Sequence, residues 1–199
     1  MIDLVTLDRL YSLKDQRRVG WLIRGIGEPE SVSDHSWGTA LLCLLYASQA
    51  GVDRDHAVAM ALVHDIAEAV TGDVAARVDE RDRSVSLQQK QANERAAIEQ
   101  LFPAVSESTV PAVVRALWDE YEDSTTPAAL FVRDMNLIDM CLQALRYQRG
   151  RRYDPRAGYP STGGFRRLDE FFATAESRIS TAVGQELYQQ IHLEYVKHC

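Results

Sequence analysis

The sequence predicts an all-α fold, a compact helical array of about seven or eight helices. Three observations carry that expectation. Apolar residues recur at three- and four-residue spacing in nearly every segment. No stretch alternates convincingly with period two, as a half-buried strand would. Residues that start and stop helices stand at the borders of the periodic segments.

In chain order, Leu4, Leu7, Leu10 and Tyr11 mark a first amphipathic helix. ESVSDHSWGTALLCLLYASQAG reads as a second, with Ser31 and Asp34 placed for a capping box and Gly51 placed to end it. Asp53 can cap a third helix, DRDHAVAMALVHDIAEAV, read as continuous up to Thr71-Gly72. SLQQKQANERAAIEQLF is a polar amphipathic helix, and VPAVVRALWDEYED another, with Pro111 in its first turn. TPAALFVRDMNLIDMCLQALRYQ is long and apolar on one side. FRRLDEFFATAESRIS and AVGQELYQQIHLEYV follow a Gly- and Arg-rich loop.

The 199 residues are 46% apolar and 26% charged, which suits one domain over 1–199 with a real core. The formal net charge of −7 argues against a nonspecific grip on a nucleic-acid polymer or an anionic membrane. It leaves room for a local basic pocket that takes a small phosphorylated ligand. The uncharged apolar stretch from Thr39 to Val52 is too short to cross a bilayer, and the N-terminus has no signal-peptide pattern. Cys43, Cys141 and Cys199 are far apart and lack C-x-x-C spacing. Cys43 and Cys141 lie in apolar helical contexts, so they read as buried thiols in a reducing cytoplasm.

The stretch LVHDIAEAVTGD, from Leu62 to Asp73, combines a burial-seeking helix with His64, Asp65, Glu68 and Asp73. A metal ion would resolve the conflict by neutralising a buried carboxylate. Glu68, one turn after His64, could orient or deprotonate a water there. A hydrogen-bonded His-Asp core pair is the plainer alternative. His35 is likewise embedded in a helix that wants the core, whereas His56, His192 and His198 read as surface groups.

Taken together, PESVSDHS, LVHDIAEAVTGD and WDEYEDSTTPAALFVRD resemble the HD-domain metal-dependent phosphohydrolases, in the branch of 5′-deoxynucleotidases and HD domain-containing protein 2. The resemblance covers about 20–147, with the helices of 165–197 expected to pack on that core. It implies an all-α fold and a metal held by His35, His64, Asp65 and a distant aspartate. It also implies a role for Glu68 in assisting the nucleophilic water and places Asp73 close to the nucleotide. RRVGW matches the family's R-x-G-W segment. Arg18 then becomes a phosphate contact, against a plain surface charge, and Trp21 a nucleoside-packing wall, against simple core packing.

The family pattern departs at the fourth ligand, whose position falls on Asn136. Three readings stand. Asn136 coordinates through its oxygen, with Asp139 making another interaction; Asp139 or Asp134 substitutes; or the site is weakened. Such ligands suit Mn, Co, Fe, Ni or Zn, and Mg less well.

The resemblance implies hydrolysis of a nucleoside 5′-monophosphate by a homodimer. The alternatives are a triphosphate or other phosphorylated substrate, or a catalytically silent nucleotide binder. The segment from Arg146 to Arg167 carries seven arginines and reads as a solvated connection or as a cationic flap over substrate. Glu107, Glu120 and Glu122 read as facing water.

Overall fold

The computed structural model describes residues 2–78, 83–103, 110–157, 164–165 and 167–199. Ten α-helices appear among them: α1 (Leu4–Tyr11), α2 (Val19–Ile23), α3 (Val32–Ala50), α4 (Arg54–Val63), α5 (Glu68–Thr71), α6 (Leu87–Leu101), α7 (Val110–Asp123), α8 (Pro127–Arg149), α9 (Asp169–Glu176) and α10 (Ala182–Val196). A single 3-10 turn, Ser12–Lys14, follows α1. The described residues contain no β-strand, only one isolated antiparallel bridge between Arg17 and Ser31. The count exceeds the sequence expectation because α2 and α5 are too short to display a helical period.

Side-chain caps set the borders. Asp34 N donates to Ser31 Oγ (3.1 Å) and Ser31 N to Asp34 Oδ2 (2.8 Å), a complete capping box at the start of α3. Gly51, at φ 72°, closes α3 in the left-handed conformation that glycine adopts without strain. Asp53, Ser86 and Thr126 N-cap α4, α6 and α8, their side chains accepting from His56 N, Gln89 N and Ala129 N.

Helix α8 runs through the centre. Phe131, Val132, Met135, Ile138, Cys141 and Ala144 are all fully buried. Helices α3, α4, α9 and α10 pack around it. A second cluster, Ala67, Ala97, Ile98, Leu101, Phe102 and Trp118, seats α6 behind the turn that carries Glu68. Cys43 and Cys141 are buried, and burial pushes the Cys43 thiol up to about 12. No helix among the described residues is long and apolar enough to cross a membrane.

The third helix departs from expectation. It stops at Val63, and His64 to Ala67 form a turn before α5. Bonds of the i→i−3 kind take over: Ile66 N to Val63 O (3.1 Å), Glu68 N to Asp65 O (3.0 Å) and Val70 N to Ala67 O (3.0 Å).

Candidate functional site

Three elements bring the site together. His35 lies in the first turn of α3, His64 and Asp65 in the break after α4, and Arg18 at the entry to α2. Around the isolated bridge, Arg18 N donates to Glu30 O (3.1 Å) and Val32 N to Gln16 O (2.9 Å). These bonds hold Arg18 beside the start of α3.

His64 Nδ1 donates to Ala61 O (2.7 Å), and His35 Nδ1 donates to Asp139 Oδ2 (2.6 Å). A carbonyl can only accept, so the neutral His64 ring carries its proton on Nδ1 and leaves Nε2 bare. Burial, then the charge of Arg18, lowers the pKa of His35, which favours the neutral ring there. Both Nε2 atoms are buried and have no hydrogen-bond partner. Asp65 Oδ2 lies 3.1 Å from His64 Nε2 and 3.7 Å from His35 Nε2, close but not along a hydrogen-bond direction.

Burial would raise the Asp65 pKa; with the two imidazoles neutral, the Arg18 charge 3.3 Å away is what favours its anion. Two imidazole lone pairs and a carboxylate oxygen thus face one another, with ligand atoms within 4.8 Å. A cation between them relieves the repulsion, so the donor set fits a divalent ion. Glu30, His35 and Asp139 form a second such group, but there His35 Nδ1 already donates to Asp139.

Arg18 Nη1 is 3.3 Å from Asp65 Oδ2 and 4.0 Å from Asp73 Oδ1. Asp73 also accepts a short hydrogen bond from Val19 N, which fastens the start of α2 to the Thr71-Gly72-Asp73 turn. Burial alone would lower the Arg18 pKa, yet Asp73, Asp65, Glu30 and Glu68 raise it above its usual range. Arg18 is therefore a half-buried member of an ion-pair network, and the surface-charge reading fails. Glu68 is 3% exposed with Oε2 unpartnered. Burial, then Asp65 and Asp73, pushes its carboxyl well above the usual range.

Trp21 is 1% exposed, stacked on Phe171 (ring centroids 4.0 Å apart), and its indole N–H donates to Glu30 Oε1 (2.8 Å). Both readings of Trp21 meet here, because this core residue also lines the cavity.

The three readings of the fourth ligand separate. Asp134 is 1% exposed and accepts from Ser180 N (3.1 Å), Thr181 N (2.7 Å) and Thr181 Oγ1 (2.6 Å). It fastens the start of α10 to α8. Asp139 sits on the Nδ1 side of His35, away from the bare nitrogens. Asn136 lines the cavity, and its amide nitrogen donates to Tyr121 OH (2.6 Å).

A cavity of about 460 Å³ lies beside this arrangement, walled by Arg18, Trp21, Glu68, Asp73, Tyr121 and Asn136, while His35, His64 and Asp65 do not line it. Asp65 lies just behind Arg18, and the His64 ring is 5.1 Å from that of Tyr121.

Several contributors escape sequence reasoning. Lys90 and Glu94, within the polar amphipathic helix SLQQKQANERAAIEQLF, both line the cavity and pair through a short contact. Glu170 is buried between Arg24 (2.7 Å) and Arg77 (2.8 Å), joining α9 to the segments beside the cavity. A buried Glu in a charged helix gives no periodic signal.

Other surface assignments also shift. Glu120 accepts from Thr126 Oγ1 (2.6 Å) and pairs with His56 (2.7 Å) instead of facing water alone. Glu107 lies outside the described residues. The described part of the Arg-rich segment packs elsewhere: Arg152 donates to Glu28 O (2.6 Å) and Arg149 pairs with Glu194 (2.6 Å). None of its described arginines lines the cavity.

The HD domain family model matches residues 10–163, most of the chain. The chain belongs to the HD domain family. The 5′-deoxynucleotidase hdd1 of Schizosaccharomyces pombe is 33% identical over 147 residues, covering 72% of this chain and 71% of its own length. The 5′-deoxynucleotidase HDDC2 of Xenopus laevis is 35% identical over 136 residues, 68% of this chain. That match spans 64% of the Xenopus protein's length. A crystal structure of a Pyrococcus horikoshii OT3 protein superposes with TM-score 0.70 at 28% identity, covering 97% of this chain and 98% of the other.

Proposed function

We propose that this HD domain protein is a divalent-metal-dependent phosphohydrolase that releases phosphate from a nucleoside 5′-monophosphate. The observation that carries the reading is the convergence of two bare, buried imidazole nitrogens on Asp65, at the Arg18 end of the cavity. The relatives named 5′-deoxynucleotidase support the substrate class.

His35, His64 and Asp65 would hold the ion, with the Asn136 side-chain oxygen as a further donor. Two nitrogens and neutral or anionic oxygens favour Mn, Co, Fe, Ni or Zn over Mg. When bound, such an ion lowers the pKa of a water and withdraws charge from a phosphoryl group.

The chain's own groups do the rest. Glu68 Oε2 takes the proton of the attacking water as its oxygen bonds to phosphorus. The ester P–O bond breaks, and the 5′ oxygen takes up a proton from solvent as the alcohol leaves; Glu68 then returns its proton to solvent. The planar fork of Arg18 binds equatorial phosphoryl oxygens. Asp73 holds Arg18 and the start of α2 in place, and Trp21 with Phe171 forms an apolar wall for the nucleoside.

We further place the protein in the cytoplasm, where buried thiols stay reduced, as a single domain with α9 and α10 packed on α8. A homodimer is supported by the outer side of α3, where Trp37 (67% exposed), Leu44 (51%) and Leu45 (61%) face outward. An apolar surface of this kind on an otherwise buried helix suits a second copy. Asn136 supports a second reading, a nucleotide binder with a weakened ion site.

The test is phosphate release from a panel of ribo- and deoxyribonucleoside 5′-monophosphates with Mn, Co or Mg added. Release from at least one of them that is lost in Glu68→Gln supports the reading. Metal-loaded protein that releases phosphate from none would reject it.

A further inference from the structure

Arg133 on α8, Arg178 in the turn after α9 and Arg83 ahead of α6 all line the same cavity as Arg18 and Glu68. Three separate elements therefore deliver three guanidinium groups to one cavity of an acidic protein. Arg133 stands over the Tyr121 ring (5.4 Å to the centroid), and the His64 ring lies 5.1 Å from the same ring. The cationic group thus begins one aromatic ring beyond the candidate metal ligands.

Arg133 and Arg178 have no carboxylate within ion-pair distance among the described residues, and the side-chain partner of Arg133 is the neutral Ser124 hydroxyl at 2.5 Å. Of the acids lining the cavity, Glu68 and Asp73 belong to the Arg18 end, Glu94 pairs with Lys90, and Glu122 pairs with neither arginine. Burial, then the charges of Arg83 and Arg133, lowers the Arg178 pKa. One turn before Arg178, Thr174 is 4% exposed, lines the cavity and has a buried hydroxyl with no hydrogen-bond partner. Clustered guanidinium groups beside an unsatisfied hydroxyl are the chemistry that receives a phosphoryl group.

We propose that Arg133, Arg178 and Arg83, with Thr174, form a second phosphoryl subsite, so that the preferred substrate carries a second phosphate besides the one at the metal end. This rests on the phosphohydrolase reading and moves its preferred substrate from the plain 5′-monophosphate to a doubly phosphorylated nucleotide. A plain 5′-monophosphate fills one end of the cavity and leaves Arg133 and Arg178 without a counter-charge. A nucleoside 3′,5′-bisphosphate or a 5′-diphosphate supplies that counter-charge.

The experiment compares kcat/KM for a nucleoside 5′-monophosphate, the matching 3′,5′-bisphosphate and the 5′-diphosphate, in wild type, Arg178→Gln and Arg133→Gln. The expected result is a preference of about tenfold or more for one doubly phosphorylated substrate, expressed in KM. Each substitution should collapse the ratio to the monophosphate at least fivefold. Which substrate is preferred tells whether the second phosphate sits on the 3′ oxygen or on the 5′ phosphate. Equal kcat/KM for all three, or a preference that survives both substitutions, overturns the subsite. A protein silent on every nucleotide fails the phosphohydrolase reading alone. The subsite is then decided by calorimetric binding of inorganic pyrophosphate. Affinity at least tenfold weaker in Arg178→Gln upholds it, and equal affinity, or no binding to wild type, rejects it.

Discussion

Asp139 grips His35 from behind: its Oδ2 lies 2.6 Å from the imidazole Nδ1, while Nε2 faces His64 and Asp65. A carboxylate on the far nitrogen fixes the tautomer, sets the ring's orientation and raises its basicity as a ligand. Asp139→Asn can still hydrogen-bond through its oxygen but loses the charge. Affinity for Mn or Co should fall about 10- to 100-fold with the helical signal unchanged. Calorimetric metal titration checks this, and wild-type affinity in the variant would remove Asp139 from the site.

That grip depends on Gly38, one turn after His35 on α3. A Cβ built there would stand 2.0 Å from Asp139 Oδ1 and 2.8 Å from its Cγ. Gly38→Ala should therefore displace Asp139 and weaken metal binding through the same contact. Because both substitutions break one interaction, the double variant Gly38→Ala/Asp139→Asn should bind metal about as weakly as the worse single variant. Additive losses would mean that Gly38 acts elsewhere, for instance on the packing of α3 against α8.

Asn136→Asp tests the departure from the family pattern. The substitution exchanges the amide that donates to Tyr121 OH for a carboxylate that can accept from it, and adds a charge at the cavity wall. Metal affinity should rise about tenfold or more, since a carboxylate is the stronger donor to a first-row ion. Unchanged affinity would place position 136 outside the coordination sphere.

How far the sequence discloses this protein depends on whether a feature is local. Caps are local, so Ser31 with Asp34, Gly51, Asp53 and Thr126 mark helix borders legibly. The helix break at His64 is not, because its turn satisfies the backbone with i→i−3 bonds and contains neither Gly nor Pro. His35, His64, Asp65 and Glu68 are legible through the motif resemblance and through the cost of burying them. Asp139 is harder to assign, since its partner is 104 positions away. The Arg146–Arg167 segment attracts attention by composition, yet the cavity takes Arg83, Arg133 and Arg178 from three scattered places. Only the fold brings those together.

At the C-terminal end, Lys197, Arg149 and His198 hold the Glu194 carboxyl down at about 2. A depressed acid adds stability above its unfolded pKa, and that stability is lost as pH falls toward the folded value. The difference in Tm between wild type and Glu194→Gln should be positive at neutral pH and shrink between about pH 4.5 and pH 2. It should be small, because the cluster is solvent-exposed and easily screened. A difference that does not change with pH would mean that the ion pairs contribute nothing.

Asp134 separates a structural acid from a metal ligand. Its carboxylate receives two backbone N–H groups and one hydroxyl at the start of α10, where negative charge is also favoured by the helix dipole. Asp134→Ala leaves those donors unanswered in a buried place, at about 1–3 kcal/mol for each stranded group. A total near 3 kcal/mol would lower Tm by about 6–12 °C in a chain of this size. Asp134→Asn keeps an acceptor and should lose less, about 1 kcal/mol. Metal titration of the Asn variant makes the distinction. An acid that only anchors α10 to α8 leaves the affinity for Mn or Co at the wild-type value while Tm falls. A drop in metal affinity larger than the drop in stability explains would return Asp134 to the ligand set and remove Asn136 from it.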